Sequence, residues 1–199
     1  ASVLFAAGIK LYWFIGGGAA AAAGLFFIMT QTSYMATRLA IWKDPWNDGM
    51  NGRDKGFQII QSLYAIGSGG LLGVGFGKSR QKFLYLPESE NDYIFSIWCE
   101  EMGFVGAAIV ILLFILLVIR GYWIAVHARD RFGALLVVGI TTLTAVQVFL
   151  NIAVVTNLIP STGISLPFFS YGGTALMIQL AEMGMVLSVS RQIPAPKQE

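Results

Sequence analysis

Residues 132–181 decide the fold class. They read FGALLVVGITTLTAVQVFLNIAVVTNLIPSTGISLPFFSYGGTALMIQLA and contain no charged side chain. A helix needs about 20 apolar residues to cross the hydrocarbon of a bilayer, so this stretch is long enough for two crossings and must turn once. Proline and glycine residues between positions 160 and 173 mark that turn. We therefore predict membrane helices over about 133–157 and 174–190.

Two further uncharged stretches, residues 11–37 and 102–119, lie nearer the start of the chain. They predict helices over about 12–30 and 97–119. Of the 199 residues, 56% are hydrophobic and 12% are charged, and that charged share is about half of what a soluble domain carries. This composition excludes a soluble domain, and the high hydrophobic content together with a net charge of only +2 excludes a disordered chain. The expected fold class is all-α, a polytopic α-helical integral membrane protein.

The first residues and the rarest residue types add further limits. Residues 1–9 are too short to span a membrane and have the character of the tail of a preceding helix, with no initiator Met and no signal sequence before them. We therefore expect the C-terminal part of a longer membrane protein. The single cysteine, Cys99, excludes a disulfide framework, and the single histidine, His127, excludes a multi-histidine metal site.

Basic residues in the short connections predict the orientation of the spans. With four crossings, the Lys and Arg clusters all fall on one face, which we assign to the cytoplasm. The opposite, extracellular face then carries a long loop and the turn 158–173. The expected division is 1–30 (the end of one span, a cytoplasmic turn and the next span), 31–96 (the extracellular loop), 97–190 (three spans) and 191–199 (a cytoplasmic tail). The basic residues concerned are Lys10, Arg120, Arg129, Arg131, Arg191 and Lys197.

The segment 31–96 is long enough to suggest a function, since loops of this length without one are uncommon. Phe57–Ile66 has apolar residues at helical spacing and predicts a short amphipathic helix. From Gly67 to Gly77, glycine stands at nearly every second position, with apolar residues between. We interpret this run as a loop or re-entrant segment at the membrane surface, where the backbone can approach a ligand closely. A flexible connector is the alternative, although connectors are usually polar.

Two charged groups follow the glycine run. Lys78, Arg80 and Lys82 alternate, so on an extended chain they face one way and could bind a phosphate or pyrophosphate. Attraction to anionic lipid headgroups explains the same spacing at least as well.

Glu88, Glu90 and Asp92 place three carboxylates within five residues. Like charges this close disfavour full ionisation, which makes one of them a candidate general base. Helix capping is an equally good explanation, because Asn91 or Asp92 suits the N-cap of the helix that follows. The two roles are compatible.

Three motifs, in this order, resemble the SEDS (shape, elongation, division and sporulation) family of bacterial membrane proteins, which includes FtsW, RodA and SpoVE. They cover the chain from about 42 to 191, and the third is the most specific because a polar SYGG turn rarely has such apolar flanks. The resemblance implies roughly ten transmembrane helices, of which this chain is the last four plus a remnant. The motifs are Gln61–Gly75 with Lys78, then Tyr85–Glu88 with Asp92–Phe95 and Glu100–Gly103, and finally Asn157–Gly163 with Leu166–Gly173.

The resemblance also implies an activity. SEDS proteins are peptidoglycan glycosyltransferases, which polymerise lipid II, a disaccharide-pentapeptide on undecaprenyl pyrophosphate, at the outer face of the bacterial plasma membrane. They act with a class B penicillin-binding protein that makes the peptide cross-links. The essential carboxylate of the family aligns with Asp92, which would be the base of an inverting reaction. Expected partners are therefore lipid II, that penicillin-binding protein and membrane lipids, with no nucleic acid.

Other residues of the motifs are implied to meet the substrate. Positive charge near positions 78–82 would assist a pyrophosphate leaving group, and a divalent cation, Mg²⁺ or Mn²⁺, is a second possibility. Glu182 matches no family motif and receives no role. A lipid II flippase and a non-catalytic scaffold for the penicillin-binding protein stay open as alternatives, although buried polar residues are few, which favours surface chemistry. The implied substrate-binding residues are Gln61, Ser62, Lys78, Arg80, Lys82, Glu88, Ser170 and Tyr171.

Overall fold

The computed structural model describes residues 2–8, 10–31, 33–47, 56–81 and 91–193. Over these residues the chain forms α-helices and no strand, which confirms the predicted fold class. The helices are α1 (Ser2–Ala6), α2 (Leu11–Gln31), α3 (Ser33–Lys43), α4 (Phe57–Gly69), α5 (Ile94–His127), α6 (Arg131–Val155) and α7 (Gly173–Arg191).

Three of these helices, α5, α6 and α7, are long and apolar enough to cross a membrane. At the remaining predicted span, α2 is a 21-residue helix without a charged residue. Apolar side chains of α5 such as Phe104, Ile109 and Leu113 are more than half exposed. Helices that present such residues outward along their length belong in hydrocarbon, where their backbone hydrogen bonds are satisfied internally. The chain is thus part of a multi-pass membrane protein.

The segment between the first two predicted spans contains helices of its own. The short helix predicted at Phe57–Ile66 begins where expected and continues to Gly69 as α4. It packs on α5, and its buried apolar residues are Ile59, Ile60 and Ala65.

Helices α5 and α6 form an antiparallel hairpin. The helix predicted over 97–119 is longer in the structure, so the connection to α6 shrinks to residues 128–130. Asp130 is the N-cap of α6, and its Oδ2 accepts a hydrogen bond of 2.9 Å from the Gly133 amide. A side-chain oxygen at this position satisfies an amide that the helix leaves without a partner. His127 is exposed, as expected of a surface residue.

The first part of α5 contains a break at Gly103, where φ is 64° and ψ is −166°. The break leaves backbone amides without a partner inside the helix, and carbonyls of the glycine run accept their hydrogen bonds. The amides of Phe104 and Val105 donate to the carbonyls of Gly70 and Leu71, at 2.9 and 3.2 Å. The run is therefore helical as far as Gly69, at the end of α4, and from Gly70 onward it is a loop, as interpreted, that is hydrogen-bonded to the broken helix.

Two glycines of the run permit this close approach. A Cβ on Gly69 would overlap the carbonyl oxygen of Cys99, and a Cβ on Gly73 would overlap that of Glu101. Only a residue without a Cβ lets two backbones come this near. Gly69 and Gly73 thus serve packing against α5, and the approach of the run to a ligand stays a prediction.

Candidate functional site

The candidate site lies at the end of the helices where α5 begins, α6 ends and α7 begins. Asp92, half-buried, comes just before α5. Its carboxylate faces the turn between α6 and α7, because a Cβ on Gly163 would lie 3.4 Å from Asp92 Oδ2. Gly163 has a φ of +67°, which a residue with a side chain rarely adopts. The second and third sequence motifs therefore meet at Asp92.

Asn151 joins the two motifs from within α6. It is 1% exposed, and its Nδ2 donates hydrogen bonds to the carbonyls of Asp92 at 2.7 Å and Ile164 at 2.8 Å. The amide group of Asn151 thus fixes the distance between the backbone at Asp92 and the turn that follows α6. The sequence alone assigned Asn151 no role in a site, because its partners are distant along the chain.

We expect the Asn151→Ala substitution to lower the free energy of unfolding of the full-length protein by about 2 kcal/mol, because two half-buried carbonyls lose their donor. Thermal unfolding in detergent measures this. Thr156→Ala is the matched control, since within the described residues the Thr156 hydroxyl bonds only carbonyls of its own helix, Ile152 and Ala153. Equal losses of stability in the two variants would contradict the role given to Asn151.

The structure corrects the capping role considered for Asn91 and Asp92. The N-cap of α5 is Tyr93, and no side-chain hydrogen bond caps that helix. The carbonyl of Asn91 accepts a 2.6 Å hydrogen bond from Ser170 Oγ, and that of Asp92 is held by Asn151. Other segments hold the backbone of both residues, and the helix begins after them at Ile94, three residues before the start predicted near residue 97.

Tyr93 and Arg38 complete the surroundings of Asp92. Tyr93 is buried, and its hydroxyl lies 3.5 Å from Ser161 Oγ. Burial raises the pKa of Tyr93 above its ordinary value, the hydrogen bond to Ser161 lowers it, the charge of Asp92 raises it and that of Arg38 lowers it. The phenol is therefore protonated at neutral pH. Both an anion and a cation lie close enough to act on this one hydroxyl.

Helix α3 brings Arg38 to the site. Its guanidinium donates to the Ser161 carbonyl. One turn further along α3, the Trp42 indole donates to the Asn157 carbonyl at 3.0 Å, and the Asn157 amide donates back to the Trp42 carbonyl at 3.3 Å. Sequence reasoning missed Arg38, and the available signal was a lone arginine directly after a long uncharged stretch.

Ser170 and Tyr171 differ in what they can do. Ser170 Oγ accepts from the Leu166 amide at 2.7 Å and donates to the Asn91 carbonyl. Its hydroxyl thereby ties the SYGG turn to the residue before Asp92. Tyr171 is 79% exposed and stands at the open side of the same turn.

The serine of the first motif has a different setting from the one predicted. Ser62 is fully buried, and its hydroxyl lies 2.6 Å from Ser96 Oγ and donates to the Val155 carbonyl at 2.8 Å. It therefore connects α4, α5 and α6, which corrects the predicted contact with substrate. Gln61, its neighbour on α4, is half-buried, and its substrate contact stays a prediction.

The cationic residues also take defined positions. Lys78 and Arg80 are exposed while Ser79 between them is buried, as their alternation predicted. Lys82, Glu88 and Glu90 lie outside the described residues. In the part of the chain that the structure describes, His, Cys, Asp and Glu form no group of three or more that could hold a metal ion. The divalent cation therefore stays a prediction.

Comparisons with known proteins bear on this arrangement. The model of the family described as "Cell cycle protein", FTSW_RODA_SPOVE, matches residues 1–194. Stage V sporulation protein E of Bacillus subtilis (strain 168) is 47% identical over 189 residues, and the probable peptidoglycan glycosyltransferase FtsW of Geobacter sp. (strain M18) is 44% identical over 191. These alignments cover 95% and 96% of this chain and 51% of each relative. The chain thus spans about half the length of the curated relatives it matches.

Solved structures are similar as well. A peptidoglycan synthase complex, described as coordinating polymerization and crosslinking, matches with a TM-score of 0.73 at 31% identity, covering 98% of this chain and 53% of that chain. A mutant of the rod shape determining protein RodA of Thermus thermophilus matches with a TM-score of 0.52 at 36% identity, covering 68% of this chain and 41% of that chain. Both matches agree with the membrane-helix arrangement.

Proposed function

The chain belongs to the FtsW, RodA and SpoVE family of cell cycle proteins, and from that premise we propose that the full-length protein is a peptidoglycan glycosyltransferase. Its substrate is lipid II, and its product is a β-1,4-linked glycan strand. The single observation that carries the proposal is the position of Asp92, whose carboxylate faces Gly163 where two motifs of the family meet.

Asp92 is the general base in this proposal. It takes the proton of the 4-hydroxyl of the acceptor sugar as that oxygen forms a bond to the anomeric carbon of the donor. The bond between the anomeric carbon and the diphosphate breaks, and the lipid diphosphate leaves with the electron pair. The configuration inverts in this one displacement. The leaving group carries negative charge, so cations rather than an acid assist its departure, and Lys78 and Arg80 are exposed to do so.

The site is proposed to face the outside of the cell. It lies where α5 begins and α6 ends, and the other end of that hairpin carries Arg120, Arg129 and Arg131. Basic residues in short connections mark the cytoplasmic side. This orientation places Asp92 at the extracellular surface of the bacterial plasma membrane. The partner that we propose is a class B penicillin-binding protein, in keeping with the synthase complex to which the chain is similar.

The test is an assay of the purified full-length protein with lipid II. We expect long glycan strands that a muramidase digests, together with one released undecaprenyl diphosphate per bond formed. A flippase would move lipid II across proteoliposomes without either product. A scaffold would give no strands by itself or with a penicillin-binding protein whose own activity is limited to cross-linking. Either of these results contradicts the proposal.

Arg38 provides a prediction within the same assay. We expect Arg38→Gln to lower the rate of polymerisation about tenfold, because the variant loses a charged hydrogen bond to the Ser161 carbonyl and a cation near Asp92. Arg120→Gln is the matched control, since its guanidinium lies over the Trp123 ring at 4.2 Å, at the far end of α5. An equal rate in wild type and Arg38→Gln would exclude a part for Arg38 in the site.

A further inference from the structure

A buried carboxylate in α5 holds the segment Lys78–Gln81, which we call the cationic strip. Glu100 is 3% exposed. Its carboxylate accepts hydrogen bonds from the Ser79 hydroxyl, the Arg80 amide at 3.2 Å and the Gln81 amide at 3.4 Å. A buried carboxylate is costly unless donors compensate it, and all three of these donors belong to the strip.

These bonds determine which side chains of the strip face outward. Ser79 is 3% exposed because its hydroxyl is bound to Glu100. With Ser79 held inward by Glu100, the residues on either side of it are the ones that can face outward. Lys78 and Arg80 are indeed exposed. The carboxylate therefore controls where two positive charges stand without touching either of them.

The position of the strip relative to the candidate base follows from the residue spacing along α5. Tyr93 and Glu100 are seven residues apart, and two helical turns place them on the same side of α5, about 10 Å apart along the axis. Asp92 directly precedes Tyr93. The candidate base and the residue that holds the strip therefore lie within about two to three helical turns of each other along the chain, a length that a sugar and its diphosphate can cover.

We propose that Glu100 is a positioning residue, which fixes the strip so that Lys78 and Arg80 receive the diphosphate of the lipid-linked sugar. This inference rests on the proposed function. Lys and Arg side chains have many conformations, and a strip attached at three points limits where their charges can go. Hydrogen bonds to a charged carboxylate are stronger than hydrogen bonds to a neutral acceptor. A glutamate at position 100 therefore holds the strip more firmly than a neutral residue would.

The first test measures the attachment without any substrate. Trypsin cleaves after Lys78 and Arg80, and cleavage requires the strip to leave its site by local opening. In full-length protein in detergent, we expect Glu100→Gln to accelerate cleavage at both bonds about tenfold relative to cleavage after Lys10, since a charged acceptor is lost. Ser79→Ala, which removes one donor and keeps both charges, should accelerate it to a smaller degree.

Glu101→Gln is the matched control. Glu101 is the next residue of α5 and is buried to a similar extent. Within the described residues its side chain makes no hydrogen bond to the strip, and its backbone carbonyl, which accepts from the Gly75 amide at 3.1 Å, is unchanged by the substitution. We expect wild-type cleavage at both bonds. Equal cleavage in Glu100→Gln and Glu101→Gln would overturn the attachment.

The second test asks whether Glu100 acts through the strip. In the lipid II assay, Glu100→Gln and Arg80→Gln should each lower kcat about tenfold, and the double variant should lose little more than Arg80→Gln alone. Groups that act together show such non-additivity, whereas independent effects multiply. A double variant slowed about a hundredfold would assign Glu100 a merely structural role.

The two tests separate the inference from the proposed function. Wild-type protein that makes no glycan overturns the proposed function. Unchanged cleavage in Glu100→Gln overturns the positioning role, whatever the polymerisation assay gives. Faster cleavage together with non-additive losses of kcat supports both.

Discussion

The Asp92→Asn variant of the full-length protein is expected to make no measurable glycan from purified lipid II. Asparagine has the size and shape of aspartate, and the backbone carbonyl that Asn151 holds is unchanged by the substitution. The variant loses the negative charge of Asp92 and, with it, the ability to accept the proton of the sugar hydroxyl. General base catalysis contributes about a hundredfold to ten-thousandfold, and we expect a loss toward the upper end because no second carboxylate among the described residues faces Gly163.

The matched control is Asp130→Asn. Asp130 caps α6 at the opposite end of the hairpin, and asparagine caps a helix as well as aspartate does. This variant should polymerise lipid II at the wild-type rate. Lipid transport by Asp92→Asn should also be normal, if the protein transports lipid II at all, because a base is not needed for movement. Near-normal glycan synthesis by Asp92→Asn would refute the assignment of the base.

Gly69→Ala is expected to cost the protein on the order of 3 kcal/mol of stability or more, as severe overpacking does. The added methyl group would overlap the carbonyl oxygen of Cys99 and press on the backbone of Glu100. These are main-chain atoms of α5, so no side chain can turn away to make room. The last turn of α4 would have to leave α5, and the glycine loop that follows it would move as well.

Gly67→Ala, in the same last turn of α4, provides the matched control. A Cβ on Gly67 meets no atom within 4 Å, and alanine favours a helix over glycine by up to about 1 kcal/mol. The control should therefore unfold at the same temperature as wild type or slightly above it. The measurement is thermal unfolding of the full-length protein in detergent, and a Gly69→Ala variant as stable as Gly67→Ala would contradict the described packing.

The sequence predicted the membrane helices well and their ends less well. The prediction ended one helix near residue 119 because Arg120 is the first charged residue after the apolar run. The structure continues that helix to His127, with the Arg120 guanidinium lying 4.2 Å from the centre of the Trp123 ring. The aromatic ring stabilises the arginine charge, and the long side chain can extend toward water. The helix can therefore continue past Arg120. Charge alone was therefore a poor marker of the helix end.

The candidate base and the exposed cations were also accessible from the sequence, through the alternation of Lys78 and Arg80 and the resemblance that singles out Asp92. Arg38, Asn151 and Glu100 were not. Each acts through a partner far along the chain: Ser161 for Arg38, Ile164 and Asp92 for Asn151, and the strip for Glu100. No local pattern marks such pairs.

The sequence by itself determined the class of the protein, its spans and their expected orientation. These follow from the length of uncharged runs and the position of basic residues, and a bilayer responds to both properties one segment at a time. Tertiary structure decided which groups surround Asp92, which serine is buried and why glycine is needed at Gly69 and Gly73. Those outcomes depend on contacts between α3, α4, α5 and α6, because close packing of helices, rather than any single segment, sets the distances between side chains.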